Sequence, residues 1–211
     1  MQITMKVLKD PQDLSIITRY EARLALNMSS SSEMQDDQID MLVEISSDEI
    51  ALTCSRVFAK QTVQETFREL PLDYCRRLPM GAYPVVSVDS VLENGVPLTL
   101  DVDYEINADG GTLNRINRTW VGPVVVVYTG GFDLPNEAPP ALKQAAILLT
   151  RESYYAATRG DATVRMISHR DARVIYFDPN VKAAGGAKGG PATPARRAIE
   201  ALLSCYTRYE V

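Results

Sequence analysis

The feature that most constrains this chain is a β-rich block over residues 77–132, with a helical pattern in front of it and another behind it. Inside the block, Asn94-Gly95 supplies the two positive-φ positions of a tight hairpin turn. Residues 123–128 form an almost unbroken β-branched run, which is typical of a strand buried on both faces, and Gly130-Gly131 ends it. The sequence therefore predicts a set of β-strands inserted between helices.

Two other stretches of the block carry strand patterns. Residues 78–84 contain two prolines, so we expect an irregular lead-in and a first strand only after it. Val86, Val88 and Val91 then fall on one face of that strand. A later strand alternates apolar residues with acidic ones, namely Val102, Tyr104 and Ile106 with Asp101, Asp103 and Glu105. We expect its acidic side to face solvent.

Helix signals precede the block. Thr18 and Glu21 form a capping box, which predicts a short helix through Leu26. Residues 32–35 repeat this chemistry, and a longer helix follows in which apolar or small residues recur at helical spacing. These residues are Ile39, Leu42, Val43, Ser46, Ile50, Cys54 and Val57. We expect residues 58–67 to lead into the first strand.

Behind the block, Pro139-Pro140 opens a third helix that is expected to run to about Tyr155. Its apolar stripe consists of Leu142, Ala145, Ala146 and Leu149. Residues 163–167 and 173–177 then alternate in the manner of two short strands, which predicts a second hairpin.

The C-terminal segment combines a linker with an amphipathic helix. Residues 182–191 are too rich in glycine for regular structure and are typical of a flexible linker. Thr193 caps a last helix that has Pro194 at its first position. The apolar face of this helix is formed by Ala195, Ala198, Ile199, Leu202, Leu203 and Tyr206. A tethered amphipathic helix of this kind is expected to be a docking element.

Together these patterns predict an α+β fold, in which a small helical bundle carries an inserted antiparallel β-rich subdomain and a tethered C-terminal helix. The expected division places the N-terminal helices of the bundle in residues 1–70 and the β-rich insertion in residues 71–138. The third helix and the second hairpin occupy residues 139–184. The Gly-rich linker and the docking helix occupy residues 185–211.

Composition fits a folded core, since 45% of the 211 residues are hydrophobic and 23% are charged. No stretch approaches the length of a membrane span and the start lacks a secretory signal, so we expect no membrane contact and a cytosolic protein when it is made. The three cysteines are widely spaced, which favours reduced thiols. Cys54 and Cys205 are expected to be small core residues.

Charge is distributed unevenly along the chain. Residues 1–138 carry 11 Lys and Arg against 21 Asp and Glu, whereas residues 139–211 carry 11 against 6. The basic C-terminal third could face nucleic acid or an acidic partner, or it could be a solvated face that balances the acidic part. The sequence leaves both interpretations open.

The enzymatic interpretations each lack a necessary part. His169 is the only histidine and has no cysteine nearby in sequence, so a Cys/His nucleophile pair is not indicated. The acidic residues from Asp101 to Asp109 lack the glycine that a calcium loop has at its sixth position. Residues 185–190 lack the spacing of a phosphate loop. We therefore expect no catalytic residues, no metal and no cofactor.

The order of these segments resembles the head-tail connector family of bacteriophages and gene transfer agents, also called adaptor or head-completion proteins. Each motif is weak alone, and the glycine-rich linker departs from the family pattern, but the order extends over nearly the whole chain. The segments that carry the resemblance are 16–24 (IITRYEARL), 54–58 (CSRVF), 78–79 (LP), 83–88 (YPVVSV), 103–106 (DYEI), 125–132 (VVVYTGGF), 140–146 (PALKQAA) and 194–206, which contains Leu202-Leu203 and Tyr206.

The resemblance implies a structural virion protein at the head-tail junction, assembled in the host cytoplasm. It implies a dodecameric ring of this chain beneath the portal vertex, which binds the portal protein on one side and a stopper, neck or tail protein on the other. Genome DNA is expected to pass through the channel without specific binding, which an acidic chain favours. The portal-contact candidates are Ile199, Leu202, Leu203 and Tyr206, and the candidates for contact with neighbouring neck proteins are Trp120, Asp101 and Asp103.

Two alternatives belong to other functional classes. A stand-alone β-rich ligand-binding module would have a ligand-sized pocket near Trp120, although a single Trp beside a valine-rich strand is more often a core or interface residue. An unrecognised hydrolase would need acidic residues such as Asp101 and Asp103 to converge in a cleft. Similarly, the apolar face of the last helix could pack on its own subunit instead of on a portal.

Overall fold

The protein divides into two compact units that alternate along the chain. The computed structural model describes residues 2–28, 36–70, 75–158, 166–169, 172–175 and 194–207. Residues 1–15 and 55–138 form one unit, here called the β unit, and residues 16–54 and 139–211 form the other, here called the helical unit. The fold is α+β, as expected, with the main β segment inserted between helices. The β unit also contains residues 1–15 and 55–70, which the sequence division assigned to the N-terminal helices.

The described residues of the β unit form two antiparallel sheets. Its strands are β1 (Gln2–Lys9), β2 (Gln61–Arg68), β3 (Arg77–Pro79), β4 (Val85–Glu93), β5 (Val96–Pro97), β6 (Tyr104–Asn107), β7 (Thr112–Arg115) and β8 (Val124–Gly130). The larger sheet has the order β1-β2-β8-β4-β5, and the smaller has the order β3-β7-β6. Residues from both sheets form one hydrophobic core, which includes Phe67, Leu78, Leu113, Trp120 and Tyr128.

Strand β8 occupies the centre of the larger sheet, between β2 and β4. Val124, Val126 and Tyr128 are buried on one face, whereas Val125 and Val127 are half-buried on the other. The β-branched run therefore correctly predicts a strand. The expected burial of both faces is complete on only one of them.

Strand β4 departs from simple alternation because it contains two irregularities in its pairing with β8. These register shifts lie between Val85 and Ser87 and between Val88 and Ser90. An extra residue in a strand reverses the face on which the following side chains lie. Val85 and Val91 are consequently buried, whereas Val86 is exposed, so the prediction that Val86 shares a face with Val91 is wrong.

Other strand boundaries also differ from those expected. The proline-containing lead-in includes strand β3, because Leu78 pairs with Leu113 of β7. Strand β6 begins only at Tyr104, and residues 101–103 form a turn in which Val102 is exposed. Strand β1 was not predicted. The Asn94-Gly95 hairpin turn is confirmed, with φ angles of 52° and 80°.

The two ends of the inserted segment meet at a close backbone contact. The Phe132 N–H donates to the Phe58 carbonyl at 2.8 Å, and the Lys60 N–H donates to the Phe132 carbonyl at 2.8 Å. Gly131 lies in this contact with a φ of +105°, and a Cβ atom there would be 2.5 Å from the Ala59 carbonyl oxygen. Only glycine combines this backbone angle with this approach.

The helical unit contains α1 (Arg19–Ala25), α2 (Asp36–Cys54), α3 (Pro140–Thr158) and α4 (Pro194–Leu203). The expected apolar stripes of α2 and α3 are buried, from Ile39 to Cys54 and from Leu142 to Leu149. Val57 lies beyond α2 and is exposed. Ser46 belongs to the buried stripe because its hydroxyl accepts a hydrogen bond from Thr150 of α3 at 3.0 Å.

The second hairpin is confirmed as the antiparallel strands β9 (Met166–His169) and β10 (Ala172–Ile175). Pairing extends to His169 and Ala172, which the sequence pattern placed in the turn. The capping signal at residues 32–35, the linker at residues 182–191 and the Thr193 cap lie outside the described residues.

Glu21 connects the start of α1 to α3. The capping box is confirmed, with the Glu21 N–H donating to the Thr18 hydroxyl at 3.1 Å and the Thr18 N–H donating to the Glu21 carboxylate at 2.8 Å. Lys143 Nζ donates to Glu21 Oε1 at 2.7 Å. Burial alone raises the pKa of the Glu21 carboxyl, but the hydrogen bonds from Lys143 and Thr18 outweigh it, so the pKa lies below its ordinary value of 4.5.

The backbone contact at Gly131 predicts an unequal response to two glycine substitutions. Gly131→Ala should lower the free energy of unfolding by about 2 kcal/mol or more, since it adds a backbone clash to an unfavourable φ. Gly95→Ala is the matched control, because Gly95 also has a positive φ but nothing lies within 4 Å of the added Cβ. It should cost about 1 kcal/mol. Urea unfolding measures both, and equal losses would contradict the proposed clash.

The pKa of Glu21 predicts a pH-dependent contribution to stability. Because the folded pKa is depressed, the carboxylate stabilises the fold above its unfolded pKa, and this stabilisation is lost as the pH falls through the folded value. Glu21→Gln should cost about 1 kcal/mol at pH 7 and less in acid. Urea unfolding at pH 7 and below pH 4 measures the difference, with Glu105→Gln at an exposed position of β6 as control. A loss that is independent of pH would contradict this role.

Candidate docking surfaces

The acidic turn before β6 presents one exposed carboxylate and one that is held within the turn. Asp101 is exposed, with a φ of +62°. Asp103 Oδ2 accepts a hydrogen bond from the Thr99 N–H at 3.0 Å, and Asp103 Oδ1 accepts one from Arg115 Nη1 at 3.3 Å. These two bonds, led by that from Thr99, hold the pKa of Asp103 below its ordinary value. The turn is therefore a structured acidic projection.

Arg115 is a buried cation that the sequence analysis did not identify. Its Nη2 atom donates to Glu93 Oε2 at 3.0 Å, and its side chain is 1% exposed. Since Glu93 is the last residue of β4 and Asp103 precedes β6, Arg115 joins the larger sheet to the acidic turn. The sequence contained a signal for this burial, because Arg115 lies two residues after Leu113 and therefore on the same, inward face of the strand.

Trp120 is a core residue. Its side chain is 1% exposed, and its indole N–H donates to the Arg76 carbonyl at 3.1 Å. The guanidinium of Arg115 lies 5.5 Å from the ring centroid. A buried ring has no surface to offer a neighbouring protein, so Trp120 is removed from the expected neighbour contacts. Asp101 and Asp103 are the two of that set that lie at the surface.

The last helix, α4, packs against α3 of the same subunit. Ile199 and Leu203 are buried, with 4% and 1% of their surfaces exposed, whereas Leu202 and Tyr206 are half-buried. The sequence left open whether α4 packs on its own subunit. The structure shows that it does, through two of the four portal-contact candidates. The other two, Leu202 on α4 and Tyr206 in the turn just past it, are only partly covered.

Arg196 ties α4 to both neighbouring helices. Its Nε atom donates to Glu152 of α3 at 3.1 Å, and its Nη1 atom donates to Glu49 of α2. The pKa of Arg196 is raised, chiefly by its hydrogen bond to Glu49. Cys205, just past the helix, is exposed, so its expected place in the core is wrong, whereas Cys54 is buried as expected. Ion pairs therefore fix α4 to its own subunit, whereas the residue Cys205 just past its C-terminal end is exposed.

A second apolar surface lies on the solvent side of α2. Met41, Ile45 and Leu52 are 59%, 44% and 79% exposed. Met41 and Ile45 are one turn apart and Leu52 is two turns further along, so the three lie on one line of the helix. The apolar stripe predicted for α2 was the buried one, so these three exposed residues were not predicted. Tyr20 and Leu24 of α1 form a similar exposed pair one turn apart.

The β unit also has a polar groove of about 200 Å³. It is lined by Lys9, Asp10, Gln12, Asp13, Lys60, Gln61, Thr62, Thr129, Phe132, Asp133 and Leu134. Neither Trp120 nor the acidic turn borders it, so it does not correspond to the pocket that a ligand-binding module was expected to have. In the parts of the chain that the structure describes, no group of three acidic, histidine or cysteine side chains is arranged to hold a metal ion.

None of the described helices combines the length and the apolar character required to cross a membrane. No protein-family model matches the sequence, and no curated protein matches it. The fold, in contrast, has solved counterparts. These are chains of the neck of an empty gene transfer agent (GTA) particle computed with sixfold symmetry, the virion of a native GTA particle, and the neck of a native GTA particle computed with twelvefold symmetry.

The similarity extends over almost the whole of both chains. The TM-scores are 0.59, 0.57 and 0.56, and each alignment covers 99% of this chain and 97% of the other. The chain has the fold of a GTA neck protein. Sequence identity is 13% in each case, so the likeness is one of architecture. The resemblance drawn from the order of sequence segments is confirmed at the level of this neck-protein fold.

Two adjacent leucines of α4 allow its inner and outer sides to be separated. Leu203→Ala should lower the free energy of unfolding by about 2 to 4 kcal/mol, because it leaves a cavity against α3. Leu202→Ala should cost about 1 kcal/mol, because its side chain is only half-buried. Urea unfolding of both variants measures the difference. Equal losses, or a larger loss for Leu202, would contradict the orientation of the helix.

Proposed function

We propose that this chain is a structural protein of a virion neck, an adaptor that forms a ring beneath the portal vertex and links the DNA-filled head to the neck or tail. The observation that carries the proposal is the near-complete match of its fold to chains of GTA necks and virions. Both units take part in this match, since 99% of the chain is covered. Such a role requires surfaces that bind neighbouring proteins, and it does not require a catalytic centre.

The proposed portal contact is the accessible side of α4. Half-buried Leu202 lies there and half-buried Tyr206 lies just past its end, while Ile199 and Leu203 hold the helix on its subunit. Burial of one leucine stabilises a contact by about 1.5 to 3 kcal/mol, so a single copy binds weakly. In a closed ring, each further contact forms at high effective concentration, and many weak contacts together hold the ring in place.

The proposed contact with a downstream neck or tail protein is the acidic turn. Asp101 is exposed, and Asp103 is fixed by Thr99 and Arg115. A fixed carboxylate loses little conformational freedom on binding, which favours recognition of a basic partner surface. Trp120 supports this turn from the core by its packing next to Arg115 and contributes no contact of its own.

The proposed channel lets genome DNA pass without holding it. The chain has a formal net charge of −5, and strong duplex binding depends on clustered Lys and Arg that release counterions from phosphates. We therefore infer no stable, salt-sensitive duplex binding by the isolated protein. The ring assembles in the host cytoplasm and remains at the head-tail junction of the finished virion.

Electron microscopy of the protein mixed with portal rings tests the proposal. The wild-type chain should add a second ring to the portal, and Leu202→Asp should abolish this addition because a charge is placed at the apolar contact. Ala201→Asp is the matched control, since Ala201 is exposed on the same helix and lies to one side of the contact. It should leave docking unchanged.

Two results would contradict the assignment of this contact. One is docking by Leu202→Asp at the wild-type level. The other is equal loss of docking by both variants, which would mean that any added charge on the helix disrupts it. Thermal unfolding of each variant shows whether the subunit itself is intact. If wild-type protein adds no density to portals, the adaptor role is itself wrong.

A further inference from the structure

Strand β1 forms an open edge of the larger sheet. It pairs with β2 along one side, and within the described residues no strand pairs with it along the other. All eight residues of β1 are exposed. An edge strand of this length presents a row of backbone donors and acceptors that can accept another strand.

The core-facing side of β1 is apolar but only partly covered. Ile3, Met5 and Val7 lie opposite the buried residues Phe67, Glu65 and Val63 of β2. Residues directly opposite each other in an antiparallel pair share one face of the sheet, so the first three continue the core face. They are nevertheless 45%, 43% and 41% exposed. The inner face of the sheet therefore extends past its core at this edge.

The opposite side of the same sheet has a second open segment. Strand β4 pairs with β8 along one side, but on its other side its pairing with β5 involves only Leu92 and Glu93. Two further backbone hydrogen bonds lie at the ends of this segment. The Val85 N–H donates to the Ala108 carbonyl, and the Leu98 N–H donates to the Val91 carbonyl. Among the described strands, none pairs with residues 86–90 on this side.

These two edges run in opposite directions. Each of the pairs β1-β2, β2-β8 and β8-β4 is antiparallel, so β1 and β4 are also antiparallel. When copies of one subunit are arranged side by side in the same orientation, β4 of one copy then meets β1 of the next in antiparallel fashion. Contacts of this head-to-tail type are the ones that close into cyclic rings.

Charge and side-chain placement favour the same partner. Strand β1 carries Lys6 and Lys9 and no acidic residue, whereas the open segment of β4 carries the exposed Asp89. In an antiparallel register that places Lys6 opposite Asp89, Val7 falls opposite Val88. Val88 packs against the core of its own subunit, and Val7 lies on the core-facing side of β1. One register therefore places an ion pair beside an apolar pair, with Asp89 at the second irregularity of β4.

We propose that β1 of one copy pairs antiparallel with residues 86–90 of β4 in the next copy, so that the larger sheet continues from subunit to subunit. The closure of these contacts into a ring rests on the proposed neck function. The pairing itself is a property of the two edges, and it covers the exposed apolar side of β1. A symmetric β1-β1 contact is disfavoured because it would bring the lysines of two copies together.

Disulfide trapping between two different variants tests the pairing. Both carry Cys205→Ser to remove the exposed thiol, and one has Lys6→Cys while the other has Asp89→Cys. When the purified proteins are mixed at high concentration and oxidised, the mixed dimer should form about tenfold faster than with Glu105→Cys in place of Asp89→Cys, because paired edges raise the effective concentration of the two thiols. Glu105 is an exposed position on β6 and serves as the matched control.

Mass spectrometry of the oxidised mixture distinguishes the outcomes. Equal rates for the two mixtures overturn the pairing, and so does preferential formation of the Lys6→Cys homodimer, which indicates a symmetric β1-β1 contact. The trapping experiment contains no portal, so it tests the pairing separately from the neck function. If trapping shows no preference but the protein still adds a ring to portals, the strand pairing is wrong and the neck function stands. If the mixed dimer forms rapidly but the protein does not dock on portals, the strand pairing is supported and the neck function is wrong.

Discussion

The antiparallel pairing of β2 with β8 is the constraint on which the rest of the fold depends. Strand β2 follows α2 and β8 precedes α3, so the inserted segment needs its two ends side by side. Phe132 provides this through backbone hydrogen bonds to Phe58 and Lys60, and Gly131 permits the close approach. The same pairing places β8 at the centre of the sheet and leaves β1 at one edge. A single backbone contact thus underlies both the insertion and the open edge.

The features that sequence predicted correctly are local ones. The Thr18–Glu21 capping box, the Asn94-Gly95 turn and the Leu142 stripe each depend on residues within a few positions of one another. The failures are long-range. The face of Val86 depends on bulges in β4 that only its pairing with β8 reveals, and Arg115 is buried because Glu93, 22 residues away, compensates its charge. Single-sequence periodicity contains no information on either partner.

The candidate surfaces show the same division. Amphipathic spacing correctly predicted a C-terminal helix, but it could not separate the leucine that holds α4 to α3 from its half-buried neighbour. Leu203 and Leu202 are adjacent in sequence and differ only in the direction that the helix gives them. Likewise, the open edge of β1 could not be predicted without knowing which strands lie beside β2. Surfaces of a structural protein are therefore defined by what its own packing leaves uncovered.

We propose that this chain joins a filled head to the remainder of a virion. Electron microscopy of particles made without the chain measures this role directly, by counting heads that are attached to tails. We expect DNA-filled heads and separate tails, with joined particles restored when the chain is supplied again. Joined particles at the normal frequency in its absence would contradict the proposed joining role.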